Sequence, residues 1–221
     1  MSYKFSPYSL SLLKECPRCF WLRFNKEITR PASIFPSLPS GMDKILKSHF
    51  DSFMEKGLLP PELEKLNGDV KLFSNKELLT LWRNNRKGLQ WLDEKGNILR
   101  GAIDNLLQRN ENLIVLDYKT RGFPIKEDTH HHYKDQMDIY NFLLRKNGYK
   151  TEDYSYLLFY HPKHINENGD AVFHTDLIKM EVSVHNAEEI LARALEVLEG
   201  DMAQPNKDCG FCNWVEVCKI I

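Results

Sequence analysis

All five cysteines of the 221-residue chain lie near its two ends: Cys16 and Cys19 on one side, Cys209, Cys212 and Cys218 on the other, with none between. Cysteines used only as core filler would scatter through the apolar segments. Two C-x-x-C spacings this far apart instead predict a fold that returns its last residues to its first. Such spacings place pairs of thiolates around one metal centre, and Cys218 can return to it after a short loop. Two unrelated buried groups or a disulfide are the alternative, although a reducing compartment would keep the thiols free.

The length suits one substantial core, so the expectation is a single domain over residues 1–221, with the terminal segments 1–30 and 200–221 forming a cysteine clasp. A hydrophobic fraction of 42% with 28% charged residues excludes global disorder and collagen-like structure. No apolar run approaches the roughly 18 residues of a membrane span, and the first twenty residues lack a continuous apolar signal region; a cytoplasmic protein without a membrane partner is therefore expected. The net charge of −1 says nothing about nucleic acid, because local distribution steers a phosphate backbone. Residues 1–30 hold six basic side chains (Lys4, Lys14, Arg18, Arg23, Lys26, Arg30) against Glu15 and Glu27.

Ser6 or Ser9 can cap a first helix carrying Leu10, Leu12 and Leu13, and Pro17 can start a second. Prolines at 31, 36 and 39 predict an irregular loop over 31–41, followed by a helix over 42–56 with apolar residues at three and four. Residues 57–72 read as a connection and 77–86 as a short helix. From Leu89 the period falls to two, predicting strands at 89–93, 97–108 and 112–119. A long helix at 128–147, strands at 154–160 and 171–179, and a helix at 186–198 complete a mixed sheet flanked by helices. The long helix is the crossover between strands.

Asp117 and Lys119 are two apart on a strand and so share a face. If Asn110 and Glu111 form the turn, Arg109 pairs with Asn112 and Asp104 lies opposite Asp117, at roughly 5 Å. Like-charge repulsion between such carboxylates becomes coordination when a divalent cation sits between them. Lys119 then offers an ammonium that positions a nucleophile and offsets charge developing on phosphorus. A solvent-facing hairpin with a weak Asp–Lys pair is the alternative. On the long helix, His132, Gln136 and Tyr140 recur every four residues along one face.

Gly101-Ala-Ile-Asp104 with Asp117-Tyr-Lys119 resembles the core of the PD-(D/E)XK nuclease superfamily, whose restriction-endonuclease-like α/β fold carries a mixed central sheet flanked by helices. Gln136-Met-Asp-Ile-Tyr140 is similar to the Q-x-x-x-Y element of its RecB-like and CRISPR-associated exonuclease branch. The resemblance implies that Asp104, Asp117 and the Tyr118 carbonyl bind Mg²⁺ or Mn²⁺, that Lys119 assists catalysis, and that Gln136 and Tyr140 support the site or contact DNA. One departure stands out. The branch places a metal-ligating histidine four residues after an early-helix glycine, whereas Gly41 is followed there by Ile45, with His49 one turn farther on. His49 is thus either a metal ligand reached by a different helix start or a packed histidine. His130–His132 are read as a solvent face, with a histidine-rich metal site as the alternative.

The same branch includes members with one N-terminal cysteine and a C-terminal C-x₂-C-x₅-C group around a [4Fe–4S] cluster. By that resemblance Cys16, Cys209, Cys212 and Cys218 ligate the cluster, leaving Cys19 over. A Zn²⁺ site built on Cys16, Cys19, Cys209 and Cys212, leaving Cys218 over, is the alternative. Either would tie the terminal helices together and couple folding to metal.

Trp82-Arg83, Arg86-Lys87, Trp91 and the basic residues near Trp21 are candidate DNA-stacking and phosphate contacts, each individually also explicable as core or solvated surface. The expected activity is metal-dependent hydrolysis of DNA, by an exonuclease on single-stranded ends in repair, recombination or CRISPR-type processing. A helicase or integration complex would be its partner. A catalytically weak DNA-binding subunit that keeps the fold and the metal cluster is the competing expectation.

Overall fold

Ser6 opens the first helix, α1 (Pro7–Glu15), with a reciprocal cap: its hydroxyl accepts from the Ser9 N–H, and the Ser9 hydroxyl accepts from the Ser6 N–H. Cys16 breaks the helix in an extended conformation, and Pro17 starts α2 (Pro17–Asn25), where a missing N–H costs nothing. The structure is a computed structural model that describes residues 2–219.

Two sheets follow. The smaller has the order β1-β4-β3, with β1 (Lys4–Phe5) parallel to β4 (Ile98–Gly101) and β3 (Leu89–Leu92) antiparallel to it. The larger has five strands in the order β2-β5-β6-β7-β8: β2 (Lys71–Leu72), β5 (Asn105–Arg109), β6 (Asn112–Thr120), β7 (Tyr154–Ile165) and β8 (Ala171–Glu181). Among the described strands of this larger sheet only β6 and β7 pair in parallel, and the long helix α5 (Lys134–Lys146) makes the crossover between them, as the sequence predicts.

The hairpin register also matches the expectation. Arg109 pairs with Asn112 and Asn105 with Leu116, around a turn in which Asn110 takes a positive φ of 53°. The strand expected over 97–108 is instead broken at Ala102–Asp104, where the chain leaves the small sheet for the large one. There the Ile103 N–H donates to the Trp82 carbonyl, and Arg83 Nε donates to the Asp104 carbonyl at 2.7 Å.

The loop expected over 31–41 ends early, since α3 spans Ser37–Glu55. Pro39 falls in the first turn, where no N–H has an intrahelical partner and proline is tolerated. Residues Thr129–Tyr133, expected as the start of the long helix, form a 3-10 turn leading into α5. Helix α4 (Lys76–Trp82), helix α6 (Val184–Glu199, capped by Ser183) and the tail helix α7 (Gly210–Cys218) complete the described residues. None of their helices is long and apolar enough to cross a membrane.

Strand β6 is buried on both faces. Leu113 and Val115 join the core under α1, α2, α5 and α6, while Ile114, Leu116 and Tyr118 join a second core under α3 and the 3-10 turn Pro61–Leu66. Asp117 and Lys119, in phase with Val115, therefore point toward α5.

Candidate active site and cysteine centre

Asp117 is almost fully buried at 1% exposure, in a strand otherwise filled with apolar residues. Burial pushes its carboxyl up to about 7; the Lys119 charge opposes this and the Asp104 charge adds to it. Lys119 Nζ lies 2.5 Å from Asp117 Oδ2, an ion pair inside the buried site. Burial alone would lower the Lys119 pKa, but the Asp117 charge overrides it and raises it, so the side chain stays an ammonium.

Lys119 also donates to Gln136 Oε1 at 3.0 Å, and its ammonium stands 4.6 Å from the centre of the Tyr133 ring. Because an ammonium only donates, this contact fixes the orientation of the Gln136 amide. Gln136 Nε2 then donates to the Tyr140 hydroxyl at 2.8 Å, leaving the tyrosine proton free to point into the site. Burial and the two aspartates hold Tyr140 well above its ordinary pKa, so that hydroxyl remains neutral. The chain Lys119–Gln136–Tyr140 unites the strand and helix residues expected to cooperate. Gly101 makes room for it: an added Cβ would lie 2.9 Å from Tyr140 Cε1 and 2.8 Å from Leu143 Cδ1.

Asp104 lies in the strand break, just outside the paired register, and presents Oδ2 3.4 Å from the N–H of Tyr118, next to Asp117 in sequence. Its other oxygen, Oδ1, lies 3.0 Å from Lys47 Nζ. Burial would lower the pKa of Lys47, but the charge of Asp104 and hydrogen bonds to Asp43 and Asp104 raise it. His49, read as either a metal ligand or a packed histidine, is paired with a glutamate. Its Nε2 lies 3.1 Å from Glu62 Oε1, and Glu62 also accepts from the Tyr160 hydroxyl at 3.0 Å. The helix turns Lys47 rather than His49 toward Asp104, because the two positions are separated by two residues and face different sides.

The donor set fits a hard divalent cation: two neighbouring carboxylates, Asp104 and the buried Asp117, close enough for the charge of one to raise the pKa of the other. Arg83, a candidate DNA contact in the sequence, donates to Asp51 Oδ2 at 2.9 Å as well as to the Asp104 carbonyl. Trp82 is core, stacked on Phe73. Trp91 packs edge-on against Phe142, and Trp21 donates to the Gly200 carbonyl.

A cleft leads to this site between α1 and the start of α5. One part, about 250 Å³, is lined by Tyr8, Asn85, Arg100, Gly101, Gln136 and Tyr140. The adjoining part, about 780 Å³, is lined by Tyr8, Ser11, Lys14, His132, Tyr133 and Gln136. Tyr8, 76% exposed, is a site residue whose only sequence signal is an aromatic two residues past the helix-capping Ser6.

At the other end of α1 the terminal cysteines meet. Cys16, Cys19, Cys209 and Cys212 are buried with their sulfurs within 4.8 Å of one another. The individual separations are 3.8 Å for Cys16–Cys212, 3.6 Å for Cys19–Cys209 and 3.7 Å for Cys19–Cys212. This is not the set that the resemblance implies: Cys19 is in the group and Cys218, at the far end of α7, is exposed. Nine residues, about two and a half helical turns, separate Cys218 from Cys209, so the helix that aims Cys212 inward carries Cys218 to the opposite side. Arg30 Nη2 donates to Cys209 Sγ at 3.6 Å, a contact that the sequence did not reveal. Burial raises the Cys19 and Cys212 thiols, whereas the Cys212 N–H and the neighbouring thiols outweigh burial and bring Cys209 down to about 7.

Compared with known proteins, residues 4–219 match the PD-(D/E)XK nuclease superfamily. No curated protein matches the chain.

Proposed function

The chain belongs to the PD-(D/E)XK nuclease superfamily, with its restriction-endonuclease-like mixed sheet, and from that premise we propose that it hydrolyses DNA phosphodiester bonds with Mg²⁺ or Mn²⁺ held by Asp104, Asp117 and the Tyr118 carbonyl. The observation that carries this reading is the buried Asp117 beside Asp104, with Lys119 joined through Gln136 to Tyr140. When bound, the cation supplies Lewis acidity toward a phosphoryl oxygen and a water of lowered pKa. The protein does the rest. The Lys119 ammonium orients the attacking water and offsets charge developing on the phosphate, in a buried setting where its field is little screened. Gln136 holds that ammonium in place, and the neutral Tyr140 hydroxyl donates a hydrogen bond into the site.

The cleft supports a single strand entering by its end. Tyr8 offers an exposed ring for base stacking and Arg100 offers positive charge to the backbone, whereas Lys14 is paired with Asp135 at 3.0 Å. The whole of 1–221 acts as one nuclease domain. Its ends are closed by a single metal centre on Cys16, Cys19, Cys209 and Cys212, for which zinc fits better than [4Fe–4S]. A tetrahedron with Zn–S bonds of about 2.3 Å has an edge of about 3.8 Å, close to the 3.6–3.8 Å of the Cys16–Cys212, Cys19–Cys209 and Cys19–Cys212 pairs, with every sulfur within 4.8 Å of the others. A cubane would hold its cysteine sulfurs apart by the width of the cluster.

The decisive experiment uses end-labelled single- and double-stranded DNA with Mn²⁺, with EDTA, and with Lys119→Ala. Cleavage indifferent to EDTA and to Lys119→Ala rejects the mechanism. Retained DNA binding without cleavage favours the second reading, a binding subunit, whose support is the Lys47–Asp104 pair at a metal-ligand oxygen.

A further inference from the structure

The β7–β8 hairpin carries a cluster that phosphodiester hydrolysis does not use. His161 and His174 are direct cross-strand partners, and Asp176 pairs with Phe159, one same-face step back along the hairpin. All three side chains therefore rise from one face of the sheet. The Asp176 carboxylate lies between the two imidazoles: Oδ2 is 3.4 Å from His161 Nε2 and Oδ1 is 3.4 Å from His174 Nε2. One donor atom from each residue lies within 4.8 Å of the other two.

These separations are long for charge-assisted hydrogen bonds, which fall near 2.7–2.9 Å. They suit a shared ion: zinc bonded to nitrogen and oxygen at about 2.05 Å sets neighbouring donors about 3.35 Å apart on a tetrahedron. His161 is buried, with Nδ1 3.4 Å from the Pro162 carbonyl, so Nε2 is the nitrogen that faces the cluster. The register slips between Pro162 and His164, a bulge of the kind that re-aims a side chain. The cluster opens to a cleft of about 330 Å³ lined also by Pro124, Ile125 and Lys163, which leaves a coordination position for solvent.

We propose that His161, His174 and Asp176 form a zinc site distinct from the catalytic carboxylates and from the cysteine centre, and that the ion staples the hairpin where it leaves the core. Lys119 pairs with Phe159, and Phe159 with Asp176. The new site thus lies two strand spacings, roughly 10 Å, from Lys119. The Phe159 ring, with Tyr133 packed on it at 5.8 Å, separates the two. Beyond His161 the strand residues Pro162–Ile165 are exposed, so few apolar contacts hold the two strands together there.

The test uses full-length protein carrying its cysteine-bound metal, in excess Mg²⁺, dialysed against buffered Zn²⁺ with uptake counted per chain. Wild type and Asp104→Asn are expected to take up one additional zinc each. His174→Gln, at an exposed position, and Asp176→Asn should bind that ion about tenfold or more weakly, with the cysteine-bound metal unchanged. Zinc should also slow amide exchange in residues 162–173 of the wild type and not of the two hairpin variants. No additional zinc in the wild type, equal uptake by the hairpin variants, or loss of the ion in Asp104→Asn alone would each overturn the proposal.

Discussion

Lys47 Nζ stands 3.0 Å from Asp104 Oδ1, an oxygen proposed to hold the catalytic cation, and Asp43 holds the same ammonium from one turn away. A cation entering beside Asp104 must compete with that ammonium. Lys47→Met is therefore expected to tighten Mg²⁺ or Mn²⁺ binding by about two- to tenfold, since removing a neighbouring positive charge favours the ion. It should also destabilise the metal-free protein by leaving Asp104 unpaired. Calorimetric titration of both proteins reads the first effect and thermal melting without metal the second; unchanged metal affinity contradicts the competition.

Asp117 gives the stability of the metal-free protein a definite pH dependence. Its folded-state pKa, about 7, exceeds its ordinary value of 3.8. The folded state therefore holds this proton more tightly, and the stability it contributes is full below about pH 4 and is lost as pH rises through about 7. Asp117→Asn, which stays neutral, should gain in melting temperature over the wild type as pH goes from about 5 to about 8. Mg²⁺ should stabilise the wild type more at the higher pH, because cation and proton compete for one carboxylate. A gap between the two proteins that does not change with pH argues against a buried titrating carboxyl.

Lys119→Ala is expected to lower the single-turnover cleavage rate by roughly 10²–10³ while leaving DNA affinity within a few-fold, because its ammonium acts mainly where charge develops. Gln136→Leu should cost less, since the Asp117 contact still holds Lys119. Rates measured at saturating Mn²⁺, with affinities measured in Ca²⁺, separate the two effects. Equal losses in affinity and rate would assign Lys119 to binding alone.

Gly101→Ala tests the packing behind the helix residues. The added methyl would meet Tyr140 and Leu143 closer than van der Waals contact, so the ring must move. The expected cost is about 1–3 kcal/mol of stability and a larger proportional loss of activity than of DNA affinity. Unfolding midpoints and cleavage rates on one preparation check both; full activity would mean that Tyr140 does not need its observed position.

The two cysteines whose roles the sequence left open should behave differently. Cys19→Ser is expected to lose the resident metal and melt well below the wild type, whereas Cys218→Ser keeps both, since Cys218 is exposed and apart from the sulfur group. Quantifying zinc, iron and sulfide in all three proteins, purified anaerobically, identifies the metal. Metal loss in Cys218→Ser with retention in Cys19→Ser would restore the four-iron arrangement.

Much of the site could be read from residue spacing. Period two places Asp117 and Lys119 on one face, and the short turn at Asn110 sets the register that ends at Asn105 opposite Leu116, one residue short of Asp104 and Asp117; period 3.6 joins Gln136 to Tyr140, which are hydrogen-bonded here. These relationships are local, set by backbone geometry within one hairpin or one helix. The meeting of the chain ends was legible as well, because paired thiols at both termini have little use unless they converge.

Other relationships depended on which faces the elements turn to one another. Only packing decided that Lys47 and not His49 meets Asp104, that Arg83 bonds Asp51 and the Asp104 carbonyl while Trp82 lies in the core, and that Cys19 and not Cys218 completes the sulfur group. The pairing of His161 with His174 across a bulged hairpin likewise needed the register of two strands joined by a five-residue turn. A sequence specifies the repeat of each element. The rotation of one element against another follows from how whole faces bury their apolar area, a property that no single segment contains.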